Sequence, residues 1–241
     1  MNRLTVAIAL SLAGLACQVQ ASELNYSSAD FAFKGKDLLD ALPTEPAKAS
    51  VLYCRADLAS SGAVDKVDCY GEAETGLLES TEQALVLQSF EPATVEEKAV
   101  PVRMSFRVAY TLIDDSARAI LIPNLGTMQD LYGRNYVAPQ ERLDVADWYS
   151  AYSEYSWEPA DAWLGEGDHA RIAAVVESSG QPTLIRTVEA NQAYERDAKI
   201  IKRSLKNSQF LPGSVNGKPV DMKYVVAVHY SEGHRAYARA H

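Results

Sequence analysis

Three cysteines, four histidines and one dense group of aromatic residues carry most of the side-chain chemistry of this 241-residue chain. Cys54 and Cys69 are placed symmetrically about Ser61-Gly62. A hairpin turning at that point sets them opposite each other on paired strands. Two cysteines in an oxidising compartment default to a disulfide, and a bridge closing a loop of this size contributes about 3 kcal/mol. The pair is not Cys-x-x-Cys, the usual spacing of a redox site. No histidine lies near it in sequence to complete a metal tetrad. A structural bridge is the expectation, with no catalytic residue, metal or cofactor.

The histidines offer no His-x-x-His or Glu-x-x-His spacing. His169 reads as a solvated loop residue ahead of a strand, and His229 as a strand residue facing solvent. His234 and His241 fall in the polar tail 231–241, where chain ends are commonly loose. Ser60-Ser61-Gly62 and Ser178-Ser179-Gly180 are turn sequences, and no Gly-x-Ser-x-Gly elbow is present. Trp148, Tyr149, Tyr152 and Tyr155 crowd together before Trp157, and with Val145 they fit one face of a helix. Such an aromatic surface either stacks on a glycan or peptide, or docks the connector that carries it onto its neighbours.

The elements that must position these groups begin after an export signal. Met1-Asn2-Arg3 is followed by an apolar run from Leu4 through Ala16, then Val19-Gln20-Ala21 ahead of Ser22. The order matches a cleavable secretory signal over 1–21, and the run is too short for a membrane anchor. Lipidation at Cys17 is the rival outcome. Without the signal the chain carries 22 basic and 32 acidic residues, a net charge of −10. That balance disfavours nucleic acid and anionic lipid as partners.

Residues 22–50 read as a short ordered piece and a linker, with helical turns around Leu38, Leu39 and Leu42. Residues 51–112 then form a unit. Strands Val51–Leu58 and Val64–Tyr70 flank the Ser61-Gly62 turn, and Leu77, Leu78, Thr81 and Leu85 fall at helical spacing. Pro92 stops the helix. In the final strand Val102, Met104, Phe106, Val108 and Tyr110 share one face. A connector occupies 113–165. The pattern then recurs over 166–230, with strands from Ala170 and Thr183, a helix presenting Ala198, Ile201 and Leu205, and a last strand from Val220 to Tyr230.

Ser61-Gly62 and Ser179-Gly180 are 118 positions apart, whereas Phe90 and Phe210 are 120 apart. In the second register, seven of the 21 positions from Phe90 to Tyr110 are identical to their partners. This self-similarity reads as a duplication.

The stretch Phe210-Leu211-Pro212-Gly213-Ser214-Val215-Asn216-Gly217-Lys218-Pro219-Val220, preceded by the helix Tyr194–Leu205, resembles the C-terminal domain of the TonB family. Phe90–Val100 is a more diverged version. Family members usually open with a Tyr-Pro…Ala…Gly stretch, which neither copy shows. The resemblance implies an α+β fold of two units, each a strand hairpin, a helix and a final antiparallel strand. It also implies a periplasmic module that binds an extended peptide segment by strand addition, the partner being a periplasmic or outer-membrane protein or a second copy through sheet edges. The implied edge is the last strand, Met222 to Tyr230, with Lys223, Val225, Ala227 and His229 facing outward. A role in TonB-dependent transport and glycan binding through the aromatic connector are the alternatives.

Overall fold

A computed structural model describes residues 25–114, 116–145, 156–159, 169–190 and 195–229. Its elements follow from a few turns that only certain residues make easily. Strands β3 (Ser50–Leu58) and β4 (Val64–Tyr70) pair antiparallel around Gly62 at φ +82°. A Cβ at this glycine would lie 2.0 Å from the Phe90 carbonyl oxygen, so the turn and the start of β5 (Phe90–Glu91) fit only without a side chain. The Gly62 carbonyl in turn accepts the Phe90 N–H at 2.9 Å. Helix α2 (Leu77–Val86) lies between, and β8 (Val102–Ile113) returns alongside β3.

One face of this sheet is apolar. Leu52, Cys54, Ala56 and Leu58 of β3 join Val102, Met104, Phe106, Val108 and Tyr110 of β8, covered by Leu77, Thr81, Ala84 and Leu85 of α2. Each fully buried Leu or Phe contributes roughly 1.5–3 kcal/mol here. The Thr81 and Tyr110 hydroxyls bond each other at 2.8 Å inside that core, and burial pushes the Tyr110 phenol up to about 12. Cys54 and Cys69 are register partners and form the expected disulfide.

The second half repeats this geometry. Strands β12 (His169–Val176) and β13 (Pro182–Ala190) turn through Gly180, also at φ +82°. The Phe210 N–H donates to the Gly180 carbonyl at 3.0 Å. Helix α4 (Glu195–Asn207) buries Ala198, Ile201 and Leu205, and β17 (Met222–His229) pairs with β12. The counterparts of Cys54 and Cys69 are Ile172 and Thr187, themselves register partners. Two small hairpins also correspond. The first joins β6 (Ala93–Val95) to β7 (Lys98–Val100) through Glu96 and Glu97, and the second joins β15 (Ser214–Val215) to β16 (Lys218–Pro219) through Asn216 and Gly217. All four turn residues have positive φ.

Residues 25–50 do more than link. β1 (Tyr26–Ser27) pairs with β6, and β2 (Asp30–Phe31) pairs with β5. Phe31 and Phe33 join Phe90 and Phe106 in an aromatic cluster with centroids 5.3–6.0 Å apart. Helix α1 (Gly35–Asp40) buries Leu38 completely. The stretch is too apolar at Phe31, Phe33 and Leu38 to remain a solvated linker.

The same arrangement opens the second half. β10 (Gln140–Arg142) pairs with β14 (Phe210–Leu211) as β2 pairs with β5, and Val137 bridges Ser214 as Ser27 pairs with Thr94. Asn25-Tyr26 and Asn135-Tyr136 stand 110 positions apart at the head of these segments.

Residues 116–142, assigned above to the connector, therefore belong largely to the first sheet. β9 (Ser116–Ile122) extends β8 as a hairpin, short α3 (Gln129–Tyr132) follows, and β10 pairs with β8 as well as β14. The result is one six-stranded antiparallel sheet, β14-β10-β8-β3-β4 with β9 on β8, and one four-stranded sheet, β11-β17-β12-β13. Here β11 is Ser156–Pro159. The chain is thus mixed, with few helices and mostly antiparallel sheets.

Candidate functional site

The strand expected to offer an open edge is β17, and the structure corrects that expectation along half of its length. β12 flanks it from Met222 to His229, and β11 flanks its other side from Val226 to His229, pairing Glu158 with Ala227 and Ser156 with His229. Ala227 and His229 therefore lie in a paired strand. The adjacent sequence Ser156-Trp157-Glu158-Pro159, read as connector, supplies the backbone that fills the edge. Lys223 and Val225 lie where, among the described residues, β12 alone is paired with β17. His169 is likewise not in a loop, because it opens β12 as the register partner of His229. Trp148, Tyr149, Tyr152 and Tyr155, together with His234 and His241, lie outside the described residues.

The Met222–Val225 stretch of β17 lies beside the polar face of the first sheet, where Lys223 and Arg107 line one cleft. That face follows from strand alternation: with Met104 and Phe106 pointing into the core, Arg103, Ser105 and Arg107 point away from it. Arg103 grips Asp57 with two bonds, Nε to Oδ1 at 2.5 Å and Nη2 to Oδ2 at 2.6 Å. Burial works against the Asp57 charge, but the Arg103 bonds and the charges of Arg103 and Arg55 outweigh it and hold the carboxyl below its ordinary value. Arg55 reaches Asp68 at 3.4 Å, while burial and the like charge of Arg103 lower its own pKa.

Glu141 of β10 joins the two halves. It is fully buried and accepts the Ser208 hydroxyl at 2.9 Å and the Tyr224 hydroxyl at 3.2 Å. The Tyr224 ring packs on Phe210 with centroids 4.8 Å apart. Burial, and then the Glu141 charge, push the Tyr224 phenol well above its usual value. Both carboxylates are committed to fixed donors, which suits them to holding β8, β10 and β17 in place rather than to proton transfer.

A polar cleft of about 400 Å³ opens beside this clamp, lined by Tyr53, Arg107, Leu125, Gly126, Thr127, Gln129 and Lys223. It falls within the size range of small-ligand sites. Arg107 is held in place by the completely buried Asn124. Its Nε donates to the Asn124 carbonyl at 3.1 Å and its Nη2 to Asn124 Oδ1 at 3.0 Å. Asn124 also donates to the Arg134 and Tyr136 carbonyls at 3.0 and 2.6 Å and accepts the Gly126 N–H at 2.9 Å. The loop is pinned further by the Met128 N–H on the Tyr136 hydroxyl at 3.1 Å. A Cβ at Gly126 would stand 2.5 Å from Arg107 Nη1, so the glycine lets the guanidinium lie against the backbone.

The alternation of β8 marks its apolar face, Val102 to Tyr110, from the sequence alone. The same alternation, read for its other face, brings out Arg103 and Arg107, and the paired Asn-Tyr dipeptides mark where each half begins. Among the described residues no group of three or more His, Cys, Asp or Glu is placed to hold a metal ion. No family model, no curated protein and no solved structure matches this chain.

Proposed function

We propose that this chain is an exported, non-enzymatic binding protein of the periplasm, built from two TonB C-terminal-like units, and that it holds an extended peptide segment by strand addition along Met222–Val225. One observation carries the reading: the chain already performs strand addition on itself at the equivalent place. In the first half, Val102 and Arg103 of β8 pair with Leu58 and Asp57 on one side and with Arg142 and Glu141 of β10 on the other. In the second half, Met222 and Lys223 of β17 pair with Val176 and Val175 in the same relation. Among the described residues no strand takes the β10 position beside them. Main-chain bonds along this stretch supply affinity, and the cleft beneath Lys223 supplies selectivity.

The duplicated turn geometry supports the two-unit organisation. Both Gly62 and Gly180 accept the N–H of a phenylalanine that starts the segment after the helix. The disulfide fits an oxidising compartment.

The test is selection of binders from a random peptide display library, followed by amide hydrogen exchange of the complex. Slowed exchange at Lys223 and Val225 is the expected result. Protection confined to β13, or a failure to select any peptide, would count against strand addition at this edge.

A further inference from the structure

We infer that the cleft beside Arg107 binds a small organic carboxylate, which the Nη1–Nη2 edge of the Arg107 guanidinium receives. Every residue counted in the site belongs to the first half, so the site stands apart from strand addition along β17.

The bonds of Arg107 leave that edge open. Its Nε and Nη2 donate to the carbonyl and Oδ1 of Asn124. It makes no other hydrogen bond and no ion pair among the described residues. Asn124 offers neutral acceptors alone, so the positive charge is not neutralised by them. The Nη1–Nη2 edge is a planar, two-pronged donor of the shape that the two oxygens of a carboxylate match.

The guanidinium is also held in advance of any ligand. Asn124 is wholly buried with every polar group of its side chain engaged, and Gly126 at φ +84° clears Nη1. Tyr53, Thr127 and Gln129 line the same cleft of about 400 Å³. Their side-chain hydroxyls and amide make no hydrogen bond among the described residues, which leaves neutral donors around the fork. Lys223 also lines the cleft but is already engaged, and it is not counted among the site's donors.

The second half shows that strand pairing does not call for this arginine. Tyr53 and Arg107 are register partners on β3 and β8. The matching pair on β12 and β17 is Arg171 and Ala227, and those strands pair in the same relation with an alanine in the place of Arg107. The cation and the loop that orients it are thus features of one half, added to a scaffold that both share.

The full mature chain, isotope-labelled, is titrated with acetate and succinate, with acetamide as the neutral counterpart, with phosphate, and with chloride at matched ionic strength. Binding is read by NMR from the Arg107 Nε–H and from the backbone amides of Gly126 and Thr127. The expected result is saturable shifts at these groups with a carboxylate and none with acetamide or chloride. Arg107→Gln should weaken carboxylate binding about tenfold or more. Tyr53→Phe and the exposed Gln129→Ala should each weaken it about threefold, and neither removes a bond that holds the fold.

Unchanged affinity in Arg107→Gln, or in both of the milder variants, would overturn the site. Shifts that stay linear up to about 50 mM, or that chloride reproduces, would do the same. Phosphate binding tighter than either carboxylate would overturn the assigned class. Protection of Met222–Val225 by a selected peptide, without carboxylate saturation at Arg107, would overturn this site and leave strand addition standing.

Discussion

Phe31 and Glu141 hold equivalent places in the two halves, one paired with Phe90 and the other with Phe210. Phe31 closes its half by ring contacts with Phe33, Phe90 and Phe106. Glu141 closes the other with hydroxyls from Ser208 and Tyr224, and it also sits opposite Arg103 of the first half. The difference follows from what surrounds each residue. Phe31 packs against an apolar core, where ring contact suffices. Glu141 is the point at which one sheet continues into the other half, and there a directional acceptor fixes the register that ring packing would leave free.

Removing the two closures therefore gives the largest effects and separates them. Glu141→Ala removes the buried acceptor that the Ser208 and Tyr224 hydroxyls share, and it should cost about 3–5 kcal/mol. Glu141→Gln, which keeps an acceptor, should cost less than half of that. The half-buried Phe31→Ala should cost about 2 kcal/mol, toward the lower end for lost aromatic packing. Urea denaturation followed by tyrosine and tryptophan fluorescence measures all three. A Glu141→Ala loss below about 1 kcal/mol would mean that the carboxylate merely fills space, and the contrast with Phe31 would collapse.

The disulfide marks a second asymmetry, smaller in energy. Cys54 and Cys69 occupy the register pair that Ile172 and Thr187 fill in the other half. The second hairpin holds without a covalent bond, so the bridge supplements a turn that both halves already make. Replacing both cysteines by alanine should remove about 3 kcal/mol and speed amide exchange in β3 and β4. Exchange in β12 and β13 should stay within about twofold of the parent. Equal loss of protection in both hairpins would show that the halves unfold as one unit.

Much of this was open to a reader of the sequence, and the boundary is physical. Alternating apolar residues gave β3, β4 and β8 nearly to the residue, and the Ala198, Ile201, Leu205 spacing gave α4. The hairpin symmetry located the disulfide. What stayed hidden has no strong period of its own. β10 is three residues of Gln140-Glu141-Arg142, recognisable as a strand only through the neighbours it joins. β11 contains Pro159, which argues against a strand unless it lies at an edge. The openings at Tyr26 and Tyr136 share few identities, and Phe31 and Glu141 stand at matching register positions with different chemistry. The cleft depends on Asn124 and Arg107, seventeen residues apart, meeting across the β8–β9 hairpin two residues beyond the register pair Arg107 and Ile122.

The finest contrast lies in the two small hairpins. Asn216 and Gly217 take positive φ at 52° and 74°, the pair of residues best suited to a type I′ turn. Glu96 and Glu97 take the same conformations at 47° and 63° with side chains that disfavour them. Both glutamates are spent on one turn while β6 and β7 hold it closed by pairing Ala93 with Val100 and Val95 with Lys98. Relief is therefore available in the first half and already taken in the second. Glu97→Gly should raise stability by about 1 kcal/mol, the cost of a left-handed residue less the extra freedom glycine gains when unfolded. The mirror change, Gly217→Glu, should lower it by a similar amount, because no atom lies within 4 Å of a Cβ there and backbone strain alone is added. Denaturant midpoints of the two variants decide it: shifts of opposite sign and like size support a shared turn geometry. A stability loss in Glu97→Gly would instead mean that its carboxylate holds the first hairpin through an interaction the second lacks.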